Sequence, residues 1–442
     1  METQKGSIKS TVTVSLTNYL DAGAIVAGAS GLALWQSYLG LTATNIALLN
    51  AISANCFGAA LGAIIGGRLA DKYGRKAIYS RNMLIYMLGV GIIMCSVNFP
   101  MLLIGFLITG ISVGIGVPPS WTYISETSEA NNRGRNIGIS QLAWSVGPAV
   151  IFLFGWLVSP TGPLGNEVRS LGSWMLQTKD AAALDLFGNR LIFFTLFVVA
   201  FIAWLLQRRL HESAEWVEQK TLDAAKQQRS SYRELLSNVV NVKAIVFLVT
   251  MYILWNFVAG AMGFFMPYVY ETAGGLSNET ANFLQMAMWT LTAFFSYFGF
   301  AMLADKVNQR FLYVFGTFFG VAAWMVLTYV GITSTAALWA FVILWGLHAG
   351  FGVQAFYALW ASELFHARYR AAAQGLMFFL VRGGAAIWSF VFIYIYNSAG
   401  FYTAGNIMVF LMLAILVVGT IGTPNTRGKT LKQISEERYG KE

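Results

Sequence analysis

The chain has 442 residues, 57% of them apolar and only 11% charged, with a formal net charge of +9. A soluble protein of this length would cover its cores with about 25% charged residues, so a soluble enzyme or soluble binding module is excluded. The basic residues are spread between apolar runs and not gathered on one polar module, which argues against nucleic acid as a partner.

About 20 apolar residues cross the hydrocarbon of a bilayer, and in lipid a single segment satisfies its own backbone amides only as a helix. Runs of that kind predict spans at 14–37, 46–70, 77–98, 101–124, 136–158 and 189–208, and after a polar stretch at 243–269, 280–303, 311–331, 336–360, 371–397 and 402–422. The expected fold is therefore an all-α membrane protein of twelve transmembrane helices. Its expected divisions are an N-terminal segment (1–13), a six-helix bundle (14–210), a linker (211–242), a second six-helix bundle (243–422) and a tail (423–442). The first run is too long and too polar-flanked for a cleaved leader. Residues 159–188 read as an outer loop with a short amphipathic part around Trp174–Leu186, and the linker reads as short solvated helices carrying Glu215 and Glu218. Cys56 and Cys95 fall inside apolar runs and suggest neither a disulfide nor a metal site.

With the N-terminus in the cytoplasm, all but four of the 29 Lys and Arg residues fall on the cytoplasmic side; Arg169, Lys179 and Arg190 lie outside and Arg382 lies within a span. This is the positive-inside asymmetry. It puts both termini in the cytoplasm and the chain in a cytoplasmic (inner) membrane.

The halves repeat one another. Ser125-Glu126, Arg133 and Gly138 recur 237 residues later as Ser362-Glu363, Arg370 and Gly375, and Leu69-Ala70-Asp71-Lys72 recurs 234 residues later as Leu303-Ala304-Asp305-Lys306. Parallel six-helix repeats place a solute site near the midplane, between two bundles that rock about it.

The segment Gly67-Arg68-Leu69-Ala70-Asp71-Lys72-Tyr73-Gly74-Arg75-Lys76 resembles the signature loop of the major facilitator superfamily. Three further stretches are similar to elements of its sugar porter family: Tyr19–Gly28 in the first span, His211–Trp216 after the sixth, and Thr426–Leu431 after the twelfth. The resemblance covers residues 19–431 and implies a secondary transporter of two pseudo-symmetric six-helix bundles. It needs no cofactor, and the coupling ion it implies is a proton.

Asp71 stands at a helix end with Arg75 one turn on, and Glu126/Arg133 and Glu363/Arg370 lie at the same depth. These groups, with Gly67, Gly74 and Asp305, can form a gate that biases the inward–outward equilibrium, or they can merely anchor helix ends at the headgroups. The second-half loop carries Asn308-Gln309 where the pattern has Gly-Arg, which weakens its expected share.

Charges deep in a span usually line a cavity. Asp21 and Arg382 are such charges, and Asp21 matches the helix-1 aspartate that proton-coupled sugar porters protonate. The arginine that partners it in those relatives would fall at Phe106, which cannot do so. Arg382 replaces an aromatic sugar-stacking residue. It can be the relocated counter-ion of Asp21, the ligand of an anionic substrate through a bidentate contact, or a snorkelling structural group.

Gln141 matches the family's sugar-binding glutamine, with Trp144 one turn on. The family's helix-7 glutamine pair falls at Leu254-Trp255, beside Asn256, so that clamp is absent. Gln285, Trp289, His348, Gln354 and Tyr357 are further candidates for substrate contact, set against helix packing for each aromatic and a plain structural hydrogen bond for His348. No phosphate-binding loop and no nucleophile–base pattern recommends an ATP-driven pump or an enzyme. The expected function is proton-coupled symport of a small polar solute: a sugar, a polyol or, given Arg382, a sugar acid. The alternatives are an uncoupled facilitator or organic-anion exporter, and a non-transporting sensor of the same fold. The expected partners are the solute and the lipid bilayer, with the chain acting as a monomer.

Overall fold

The computed structural model describes residues 8–54, 56–225, 232–276 and 278–440, and every regular element among them is helical. The first span is α1 (Ile8–Ser30), continued past Gly31 by α2 (Leu32–Leu39); the second is α3 (Ala43–Ile52) with α4 (Phe57–Tyr73). The third to fifth are α5 (Arg75–Met94), α6 (Phe99–Thr127) and α7 (Arg133–Val158). A surface helix α8 (Gly165–Leu176) precedes the sixth span, α9 (Ala181–Gln207), and the linker carries α10 (Ala214–Ala225) and α11 (Tyr232–Ser237). The seventh span is α12 (Val239–Gly260), which runs through a π-turn into α13 (Met266–Thr272), and the eighth is α14 (Asn278–Phe295) with a π-turn at Ser296–Ala301. The ninth is α15 (Gln309–Tyr329), and the tenth is α16 (Thr335–Gly350) with α17 (Val353–Glu363). Spans eleven and twelve form one run, α18 (Arg370–Gly422), followed by the tail helix α19 (Leu431–Tyr439).

At 1.5 Å per residue the 53 residues of α18 would reach about 80 Å, far beyond a hydrocarbon layer of about 30 Å. The chain turns back at Gly400, whose φ of 78° lies where a side chain would clash. Nine described helices are long and apolar enough to cross a membrane. Dividing α18 at Gly400, and adding α1 with α2 and α14, gives twelve spans. The two added helices are less apolar because their buried faces are polar: Thr11, Ser15, Asn18 and Asp21 in α1, and Asn282, Gln285 and Thr292 in α14.

Two expected boundaries move. The sixth span starts at Ala181 instead of 189, because Asp180 caps it by accepting the Ala182 N–H at 3.2 Å and Leu186 and Phe187 already pack inside. The surface helix ends at Leu176, so it shares only Trp174–Leu176 with the stretch in which it was expected.

The linker helices α10 and α11, the start of α1, the tail helix α19 and most of the described basic residues lie at one end of the bundle, here called the basic end. There the halves touch backbone to backbone. A Cβ at Gly375 of α18 would stand 2.3 Å from the Ala63 carbonyl oxygen of α4, and one at Gly67 only 2.4 Å from the Ala371 carbonyl oxygen. The symmetry-related contact sets Gly138 of α7 against Ala301, where a Cβ would meet the Ala301 Cα at 2.5 Å. Gly375→Val is therefore expected to wedge α4 from α18 and cost about 1–3 kcal/mol. Thermal unfolding in detergent checks this, and an unchanged midpoint would mean that the contact is loose.

Candidate functional site

At the basic end the two halves cap each other's helices. The first N–H groups of a helix have no partner inside it. Those of α18 are met by Asp71 of the first half, which accepts from Ala371 at 3.3 Å and Ala372 at 2.6 Å. Those of α7 are met by Asp305 of the second half, which accepts from Gly134 at 2.9 Å and Arg135 at 2.8 Å. Burial pushes the Asp305 carboxyl up from its ordinary value, against these two donors and the nearby Arg133. Each carboxylate also faces the positive end of the helix dipole. The second-half loop, doubtful from its sequence, thus makes the same bond as the first.

The pairs that the repeated arginines Arg133 and Arg370 make with the repeated glutamates cross between the halves. Arg133 of α7 pairs with Glu363 of α17 at 2.8 Å, and Arg370 of α18 pairs with Glu126 of α6 at 3.2 Å. Glu126 also receives Arg75 at 2.7 Å, and Arg75 lies 3.3 Å from Asp71. Gln309, which replaces the second Arg75, instead accepts hydrogen bonds from Trp360 and Thr426. Gly74, with φ of 98°, gives room for Glu212, which accepts the N–H groups of Arg75 at 3.0 Å and Lys76 at 3.1 Å. Glu215 corrects the sequence reading of a solvated linker group: it holds Arg370 at 3.0 Å. Its role was hidden because α10 lies in a polar stretch, and nothing in the sequence says which face it covers.

The central candidates converge on a cavity of about 30 Å³ between the halves, lined by Trp144 from α7, Trp255 and Asn256 from α12, Trp289 from α14, Gln354 from α17 and Arg382 from α18. That volume suits a water or two; a larger solute needs the halves to part. Asp21 is buried beside it, its Oδ2 accepting the Trp144 Nε1–H at 3.0 Å and lying 3.7 Å from the Arg382 guanidinium. Its Oδ1 has no hydrogen-bond partner among the described residues. Trp144 meets Trp289 edge to face across the halves, with centroids 5.3 Å apart. Towards the basic end, Gln354 donates to Gln141 at 3.4 Å, another bridge between the halves.

Other candidates stand behind this wall. His348 accepts the Trp255 Nε1–H at Nε2 (3.2 Å), so its Nδ1 donates to the Gly316 carbonyl at 2.9 Å; it is a neutral support for Trp255 and does not line the cavity. Tyr357 stacks on Tyr252 at 3.9 Å, and its hydroxyl has no described partner. Gln285 is buried one turn before Trp289, with both amide atoms likewise unpartnered. Phe106, at the position of the relatives' arginine, packs edge on against Phe193 and close to Gly28. Sequence reasoning passed over Asn18, which donates to Ser120 at 3.1 Å, and the Ser145–Ser296 contact at 3.4 Å between halves. The polar residues recurring along α1 were the available signal for Asn18.

The Major Facilitator Superfamily model matches residues 12–389. The chain belongs to that superfamily. It is 41% identical over 443 residues to the minor myo-inositol transporter IolF of Bacillus subtilis (strain 168), covering 98% of this chain and 94% of the relative. Its identity to the arabinose-proton symporter of the same organism is 26%, over 87% of this chain and 85% of the relative. Among solved structures it resembles the proton:xylose symporter XylE bound to 6-bromo-6-deoxy-D-glucose, with a TM-score of 0.78 at 17% identity, covering 98% of this chain and 100% of the other. A major facilitator chain of twelve spans is a multi-pass membrane transporter and not an enzyme, and the central cavity is where this fold holds a solute.

Proposed function

We propose that this major facilitator protein is a proton-coupled symporter of an uncharged polyol or sugar, working as a monomer in the cytoplasmic (inner) membrane with both termini in the cytoplasm. The observation that carries the reading is Asp21, a buried carboxylate beside the central cavity, held between the Trp144 indole and the Arg382 guanidinium. A carboxylate at that depth is costly unless it functions, and its unpartnered Oδ1 is a place for a proton. Neutral donors and acceptors of the cavity wall, the Trp289 Nε1–H and the Gln354 Oε1, have no hydrogen-bond partner among the described residues and suit hydroxyl groups. The 41% identical relative is named a myo-inositol transporter, which favours a polyol. The basic residues, concentrated at the end that carries the linker helices, the start of α1 and the tail helix α19, support the orientation.

One observation favours a second reading: Arg382 is on the cavity wall, and a carboxylated solute could replace Asp21 as its partner. Uptake of myo-inositol, a neutral hexose and a hexuronate into proteoliposomes, with and without an imposed inward proton gradient, decides between them. Gradient-dependent accumulation of a neutral solute is expected. Uptake of the hexuronate alone would establish the anion reading, and accumulation indifferent to the gradient would remove the proton.

A further inference from the structure

Between the central cavity and the basic end lies a second cluster of buried polar side chains. Trp121 stands on α6 five residues before Glu126, and Tyr357 stands on α17 six residues before Glu363. Gln374 and Phe378 stand on α18 one and two turns beyond Arg370. Trp121, from the first half, meets two rings of the second edge to face: Tyr357 with centroids 5.8 Å apart and Phe378 at 6.0 Å. Tyr357 lies flat on Tyr252 at 3.9 Å, and Tyr252 stacks at 5.8 Å on Trp255 of the cavity wall. One series of rings thus runs from the cavity wall across to the first half.

The Trp121 Nε1–H, the Tyr357 hydroxyl and both amide atoms of Gln374 have no hydrogen-bond partner among the described residues, and all three residues are at most 1% exposed. Buried polar groups without partners are costly and uncommon. The repeat does not account for them: the offset of 237 that relates Glu126 to Glu363 sets Ala358 opposite Trp121 and Ile137 opposite Gln374. We propose that Trp121, Tyr357 and Gln374 form a second solute site, on the basic-end side of the central cavity, that binds the hydroxyls of a polyol or sugar ring when the bundles part there. The proposal rests on the reading of the solute as a neutral polyol or sugar. A solute moving from the cavity to the basic end passes between α6 on one side and α17 and α18 on the other, where these rings now close the route. Parting draws Trp121 away from Tyr357 and Phe378 and bares their faces. A polyol or sugar ring carries C–H groups on its faces and hydroxyls at its rim, which suits flat rings with an N–H or O–H at the edge. The indole donates, while the phenol and the amide both donate and accept, so each can meet a hydroxyl.

The test compares the two faces of the carrier. Exchange of labelled myo-inositol without a proton gradient is measured in intact cells and in inside-out vesicles, which present the basic end to the medium. Trp121→Phe, Tyr357→Phe and Gln374→Leu each keep bulk in the contact and remove the polar atoms. Each is expected to raise KM at the basic end, relative to KM at the opposite face, about five- to tenfold, the loss of one hydrogen bond. Among mono-deoxy analogues of myo-inositol, at least one is expected to show the same KM in Tyr357→Phe as in the unaltered chain, because solute and variant then lack the same bond. Tyr357→Phe loses a single oxygen and carries the test if the other two do not fold. An unchanged KM ratio, or a shift equal for every analogue, would overturn the site while leaving the solute reading in place. Failure of the unaltered chain to exchange any neutral polyol or sugar would overturn the solute reading itself, and the site with it.

Discussion

Asp21→Asn is expected to abolish accumulation while leaving exchange of solute across the membrane intact. The asparagine has the same shape and its amide oxygen still accepts the Trp144 N–H, so the local fold should persist. What it loses is the carboxylate proposed above to cycle a proton. One charge moved through a potential of about 100 mV supplies about 2.3 kcal/mol, enough to hold a neutral solute at about 50-fold accumulation. In the variant that ratio should fall to unity. Radiolabelled myo-inositol measured in proteoliposomes, first under an imposed potential and then in counterflow, separates the two activities. Concentrative uptake by the variant at the wild-type level would show that the proton binds elsewhere.

Glu126→Ala is expected to open the basic end. The Glu126 carboxylate is fully buried and receives two guanidiniums, Arg75 at 2.7 Å and Arg370 at 3.2 Å, the second from the other half. Its removal leaves each cation with one remaining carboxylate, Asp71 for Arg75 and Glu215 for Arg370. Breaking a buried pair from one side costs about 3 kcal/mol, which changes the ratio of closed to open basic end on the order of a hundredfold. Labels at Lys72→Cys and Lys432→Cys should then move from one short distance to a predominantly long one. The control is Glu437→Gln. That carboxylate pairs with Lys429 while 56% exposed, and such pairs contribute well under about 1 kcal/mol. Equal effects of the two substitutions would mean that the network is only an anchor at the headgroups.

The basic-end network and the cavity differ in how far the sequence revealed them. Asp71, Glu126, Arg133, Asp305, Glu363 and Arg370 could be found because they are charged residues in a charge-poor chain and recur at nearly constant offsets. Their partners could not, because a repeat does not say whether a side chain turns to its own half or the other. Glu126 faces Arg370 and not Arg133 because Asp71 caps α18 and brings the start of that helix against α6 and α4. Gln309 shows the same limit: the departure from pattern was visible, but not that Asp305 would still cap α7 without an arginine beside it.

The central residues were legible as types and not as positions. Asp21 and Arg382 stood out by depth alone, whereas their separation of 3.7 Å depends on how α1 and α18 cross. Trp255 and His348 both read as ligand candidates; only packing puts one on the cavity wall and the other behind it, joined through the indole N–H.

By itself the sequence determined the membrane class, the helix count, the twofold repeat and the identity of the rare buried charges. Those follow from local properties: hydropathy over about 20 residues and the high cost of charge in lipid. Tertiary structure alone decided which charges meet, because pairing depends on contacts between helices hundreds of residues apart. Close approach at Gly67, Gly138 and Gly375 sets the register of the two halves, and that register delivers Arg382 to Asp21 and Glu126 to Arg370.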